Sequence, residues 1–195
     1  MKKSILITLL LIPFLGFSQA TKPIEGFLGI KFGSSRVAVI AALKAKGGTF
    51  DKANSDANSV AFNNINLDHR ETGGFLVKFI NDKAFECDFI FDPGADAKTL
   101  EYYYALVNDI TDIYGPTTVS KATFKEPYSD KDSDMDKIVA IQSAEADYTT
   151  IWQSDNKNTI SVNITEKLAV VLQYQDAGLV EIAVKNQKAK EKSDY

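Results

Sequence analysis

The sequence predicts an α+β domain: an antiparallel sheet of about six strands with two helices on one face, arranged as pseudo-duplicated helix-plus-three-strand units. Three observations carry this expectation. Residues 35–46 and 96–114 place apolar side chains at helical spacing. Six shorter runs alternate apolar and polar residues with a period of two, three of them after each helix. Short polar turns join those runs, and connections that short pair strands antiparallel.

The 195 residues are 45% hydrophobic and 25% charged, a globular composition that can build a core and is unlike disordered or collagenous chains. The first twenty have the three-part order of a secretory signal: Lys2 and Lys3, an apolar run from Ile5 to Phe17, then Ser18-Gln19-Ala20. Cleavage after Ala20 and export, to a periplasm or the medium, are expected. Pro13 and Gly16 interrupt the run, which falls short of the ~20 apolar residues a spanning helix needs, so no stable membrane insertion of the cleaved chain is expected. The single cysteine, Cys87, is far from the cleavage point, which excludes a lipid anchor there and any internal disulfide. It reads as a small buried hydrophobe. Lys+Arg number 22 and Asp+Glu 26, and removal of the first twenty residues gives (22 − 2) − 26 = −6. Mild acidity gives nucleic acid or an anionic membrane no reason to bind.

One domain is expected over 21–186, followed by a charged tail, 187–195. Gly26 to Gly33 reads as a brief strand with glycines at its bends, and Ser34 or Ser35 as the cap of the first helix. Val37, Val39, Ile40, Leu43 and the alanines between them predict a tightly packed helix, stopped by Gly47-Gly48. The run Val60–Leu67 changes phase at Asn63-Asn64, where a bulge would keep Val60, Phe62, Ile65 and Leu67 on one face. Phe75, Val77 and Phe79 alternate, turn at Asn81-Asp82-Lys83, and continue as Phe85, Cys87, Phe89 and Phe91, an aromatic-faced hairpin. Asp96 is the expected cap of the second helix, with Leu100, Tyr103, Val107, Ile110 and Tyr114 inward. Residues 117–137 read as a polar loop; Ile138–Asp147 suits a strand or a short helix, and Asp136 as a cap with the alanines within favours the helix. Strands are expected at 148–154, 159–165 and 168–175, then a weak helix over 179–190.

Gly33-x-Ser35-x-x-x-Val39, opening a helix directly after a short strand, together with Tyr114-Gly115-Pro116 closing a helix, resembles small exported proteins with the β-lactamase-inhibitor-protein-like fold. The resemblance implies a noncatalytic domain that binds other proteins.

Catalytic chemistry is sparsely provided for. His69, the single histidine, lies in the polar turn Asp68-His69-Arg70, and no Gly-x-Ser-x-Gly nucleophile turn occurs. One His and one Cys cannot make a zinc site without carboxylates filling most of the shell. The Asp130–Asp136 run begins like a calcium loop, but position six is Met135 where glycine is required and position twelve is Ile141 where glutamate is required. Trp152 and Tyr148 share a strand face, which suits either core packing or a binding platform. Glu86 and Asp88, two apart on one strand, share a face at ~7 Å, a spacing open to a carboxylate-based hydrolase. The first expectation is instead an exported noncatalytic domain binding a protein or small ligand, without catalytic, cofactor-binding or metal residues and without a cofactor. Its expected partner surface is the exposed sheet face bearing Lys78, Glu86, Asp88, Asn163 and Gln173.

Overall fold

The structure, a computed structural model, describes residues 22–193. The expected leader and its cleavage point lie outside the described residues. Chain order is β1 (Gly26–Phe27), β2 (Ile30–Lys31), α1 (Arg36–Ala45), β3 (Thr49–Asp51), β4 (Ser59–Asn63), β5 (Asn66–Leu67), β6 (Arg70–Glu71), β7 (Gly74–Ile80) and β8 (Lys83–Phe91). The second half runs α2 (Thr99–Tyr114), β9 (Val119–Phe124), α3 (Asp134–Gln142), β10 (Ala146–Gln153), β11 (Thr159–Ile164), β12 (Val170–Gln175) and α4 (Ala177–Ser193).

Eight strands form one antiparallel sheet in the order β3-β4-β7-β8-β12-β11-β10-β9. The α+β class and the antiparallel sheet match expectation, and the six expected strands occupy its middle. The count is corrected to eight by β3 and β9 at the two edges. β9 falls within the expected loop 117–137; only Thr123 and Phe124 of its six residues are even half-buried, so no alternation marks it. Among the described residues the two helices expected on the sheet are joined by α3, which comes earlier than the short helix expected at 138–147, and by α4, where the weak helix was expected. α1, α2 and α3 pack on one face, and α4 touches β7 and β8 from the other. α4 starts at Ala177, where Asp176 Oδ1 accepts from Leu179 N at 2.8 Å, and runs past the expected end at 190 to Ser193.

Register explains the core. Val60, Val77, Cys87, Tyr174, Ile160 and Trp152 fall in one cross-strand row, all buried. The next row is Phe62, Phe75, Phe89, Leu172 and Val162. Phe75 and Phe89 meet edge to face at 4.8 Å, within the range where aromatic pairs gain beyond simple burial. Trp152 and Tyr148 are core residues, 2% and 3% exposed, and Trp152 Nε1 donates to Gly115 O at 3.2 Å. Each buried large side chain contributes about 1.5–3 kcal/mol, so these rows dominate stability.

Local departures have local causes. α1 is capped by Ser35, whose Oγ accepts from Ala38 N at 3.3 Å, but its all-round apolar character does not bury it. Only Val39 and Leu43 are fully buried and Val37 is 77% exposed, because α1 packs mainly on β3, β4 and β8 in one half of the sheet. The expected bulge at Asn63-Asn64 is a break: Asn64 turns with φ 60°, Ile65 still enters the core, and β5 leaves the sheet to pair with β6. The β7–β8 ladder slips instead between Lys78 and Phe79, so Ala84 takes the inward position and Phe85 turns to the outer face. Asp96 does not cap α2. It starts a short 3-10 turn (Asp96–Lys98), and its Oδ2 accepts from Gln142 Nε2 at 3.2 Å. α3 begins at Asp134, capped by Ser133; Asp136, expected as the cap, is the third residue of its first turn, and its Oδ2 accepts from Ser133 Oγ at 2.6 Å.

Candidate functional site

Two places concentrate polar chemistry. The first is the outer sheet face. Register sets Lys78, Glu86 and Gln175 in one row and Leu76, Asp88 and Gln173 in the next. Lys78 Nζ bonds Glu86 Oε1 and lies 3.7 Å from Asp88 Oδ2. Gln175 Nε2 donates to Glu86 Oε2 at 2.7 Å, and Gln173 Nε2 donates to Asp88 Oδ1 at 2.9 Å. Four of the five expected surface residues therefore converge. Asn163 is on the same face but opposite Val171 and Thr149, outside this cluster.

Exposure is where expectation fails. Glu86 is 6% exposed and Asp88 8%, because Lys78 and the two glutamines lie across them and α4 packs on the adjoining strands. Burial is the chief influence on Asp88; with the charge of Glu86 it raises the carboxyl pKa against the opposing pull of Gln173 and Lys78. On Lys78 burial is again the largest influence and acts downward, yet Glu86 and Asp88 outweigh it and hold the ammonium above its ordinary value. Each carboxylate thus has an amide donor and shares one ammonium. The groove of about 500 Å³ between this face and α4 reaches Lys78 but neither carboxylate.

The second place is a groove of about 680 Å³ between the β1–β2 hairpin, the β5–β6 hairpin and α2. The sequence folds its roof locally. Leu28 (φ 49°) and Gly29 (φ 76°) make the two-residue turn that closes β1 on β2. Gly26 is required by closeness: a Cβ there would lie 1.9 Å from Ile30 O. Leu106, Ile110 and Tyr174 supply an apolar floor. Burial, then the neighbouring Tyr114, raises the Tyr174 hydroxyl well above the usual tyrosine value, so this pair is neutral at physiological pH. Arg70 forms one wall: its Nε and Nη2 reach Asp109 Oδ2 at 3.2 and 2.5 Å, and its guanidinium lies 4.9 Å from the Tyr102 ring centre. Lys22 sits 5.1 Å over the Tyr114 ring at the mouth.

His69 is on the groove's lip, exposed as expected, with Nδ1 2.6 Å from Asp68 Oδ2. No three His, Cys, Asp or Glu side chains among the described residues are grouped to hold a metal. Asp132 is spent on Ser129 N at 2.7 Å and Asp136 on the α3 cap, so the acidic run serves turn and helix start. Cys87 is fully buried, and burial raises its thiol pKa.

The groove escaped sequence reasoning because its members are scattered: Arg70 and Asp109 are 39 residues apart. The legible trace was the glycine spacing of residues 26–33, which marks a tight hairpin but not what it covers. In comparisons with known proteins, the chain matches no family model, no curated protein and no solved structure.

Proposed function

We propose that the protein is an exported, noncatalytic binding domain whose groove under the β1–β2 hairpin takes a ligand with an apolar body. The carrying observation is the contrast between the two places described. The groove is open, floored by Leu106, Ile110 and neutral tyrosines, and rimmed by charges, the mixture typical of binding sites. The Glu86–Asp88 pair, which a hydrolase would need beside a cleft, is instead bonded to Lys78, Gln173 and Gln175. The resemblance of Gly33-x-Ser35-x-x-x-Val39 and Tyr114-Gly115-Pro116 to small exported proteins with the β-lactamase-inhibitor-protein-like fold implies the same noncatalytic role. Asn163 and Gln173, half-buried on the outer face, offer a second contact surface for a protein partner.

Binding of the apolar dye anilinonaphthalene sulfonate to the folded protein tests the groove. Ile113→Asp, at its α2 wall, should abolish saturable binding, while Asn163→Lys on the outer face should not. Equal loss in both variants, or none in either, overturns the assignment. A hydrolase activity of the wild type that disappears in Glu86→Gln/Asp88→Asn would favour the enzyme. Mass spectrometry of protein expressed with its leader tests export: a chain starting at Thr21 is expected, and retained Met1 or an added lipid refutes it.

A further inference from the structure

Beyond the groove, exposed apolar side chains gather where α2 meets α3. Tyr104 is 52% exposed, Met135 54% and Val139 42%. Met135, Val139 and Gln142 follow one another at i+4 and i+3, so they share one stripe of α3. The Gln142 end of that stripe meets the 3-10 turn just before α2, where Gln142 Nε2 donates to Asp96 Oδ2. Tyr104 lies on the first half of α2, and its ring borders Tyr148 at 6.5 Å. Asp134, next to Met135, acts on the same tyrosine: after burial and Tyr104, its charge helps raise the Tyr148 hydroxyl above the ordinary value. Phe124 closes the group edge-on to Tyr148 at 5.9 Å. Tyr104, Tyr148 and Phe124 thus form one ring cluster, and Met135 and Val139 lie on α3, which packs against α2 and β10 beside it.

Charge around them is acidic in excess: residues 96–104 hold Asp96 and Glu101 against Lys98, and residues 130–137 hold four aspartates against Lys131 and Lys137. Arg70 engages Asp109, and Lys137 lies 3.7 Å from Asp134. Glu101, one turn from Tyr104, and Asp130, in the turn before α3, are exposed with no ion-pair partner among the described residues. An apolar centre with an acidic rim complements a partner carrying cations around a small apolar anchor. Arginine and lysine also stack on tyrosine faces, and interfaces place such anchors centrally with charges at the rim.

We propose that the α2–α3 face docks a basic polypeptide segment, seating an apolar side chain between Tyr104 and Met135 and its arginines or lysines against Glu101 and Asp130. This surface is separate from the groove and stands whether or not the groove binds a ligand.

Fluorescence anisotropy with a short arginine- and leucine-bearing peptide tests it, using full-length protein whose fold is checked by Trp152 emission. Saturable binding that weakens with added salt is expected, as for rim electrostatics. Glu101→Lys/Asp130→Lys should weaken it by about tenfold or more, equivalent to ~1.4 kcal/mol. Tyr104→Ser should weaken it with little change in salt dependence. Glu181→Lys, on α4 across the sheet, changes net charge at an exposed site and should leave affinity within about twofold. A peptide with glutamates in place of the arginines should not bind. Equal weakening by Glu181→Lys would mean attraction to net charge alone and overturn the proposal. So would absence of saturable binding, or sedimentation showing that a second copy of the chain covers this face.

Discussion

The two outer-face carboxylates should answer oppositely to neutralisation, although they sit two residues apart on β8. Glu86 accepts from Lys78 and Gln175 and is nearly buried. Removing one member of a fully buried ion pair costs about 3–5 kcal/mol. Lys78, however, has a side chain 41% exposed and can turn to water, which reduces the loss to that of a charge-assisted hydrogen bond. Glu86→Gln should therefore cost about 1–2 kcal/mol at pH 7. At about 2–4 °C per kcal/mol for a chain of this size, the melting temperature should fall by about 2–8 °C. Asp88 differs because burial raises its pKa in the folded state. A raised carboxyl binds its proton more tightly when folded, so its contribution to stability is full below the unfolded value near 3.8 and declines as pH rises through the folded value. Asp88→Asn keeps an oxygen for Gln173 and removes that decline, and should be neutral or stabilising by no more than about 1 kcal/mol at pH 7. Urea unfolding at pH 7 and again near pH 3.5 measures both. The gap between Asp88→Asn and wild type should shrink at the lower pH. A loss in Asp88→Asn larger than in Glu86→Gln, or a gap that widens on acidification, would refute the assigned environments.

Three further outcomes follow from the packing. Gly26→Ala places a Cβ against Ile30 O and should destabilise by about 1–3 kcal/mol on urea unfolding, with loss of dye binding in the groove. Phe75→Ala empties the junction of Phe27 and Phe89 and should cost about 3–5 kcal/mol, seen in the same titrations. Trp152, the single tryptophan and 2% exposed, should emit at short wavelength and resist iodide quenching until the sheet unfolds; ready quenching in the native state would contradict its placement.

What the sequence makes legible follows one-sided burial. β7 alternates Phe75, Val77 and Phe79 with half-buried residues, and β11 alternates Ile160 and Val162 likewise, so both were readable from period alone. β9 was not, because an edge strand beyond the reach of the helices has no buried side to pattern. The slip that reverses Phe85 is set by Phe79 pairing with Ala84, a fact of register rather than of composition. At the outer face Lys78, Glu86, Asp88 and Gln173 meet while Asn163 stands apart, and the burial of the carboxylates was misjudged. Whether Glu86 meets water depends on Gln175, 89 residues away, and on a terminal helix whose few apolar residues gave a weak signal. The groove required three elements distant in sequence to meet, and no local pattern encodes such a meeting.

The central seam also constrains how the chain can be made. β8 has its second neighbour in β12, and the paired Asp88 and Gln173 are 85 residues apart. Until β12 emerges, β8 has a free edge with the apolar Cys87, Phe89 and Phe91 beside it. Such an edge is a template for pairing with another chain, and a contact this distant closes late and slowly. A chain ending before Val170 would keep most of its helices and strands yet lack the strand that joins its halves. It should accumulate as aggregate rather than as a smaller folded unit.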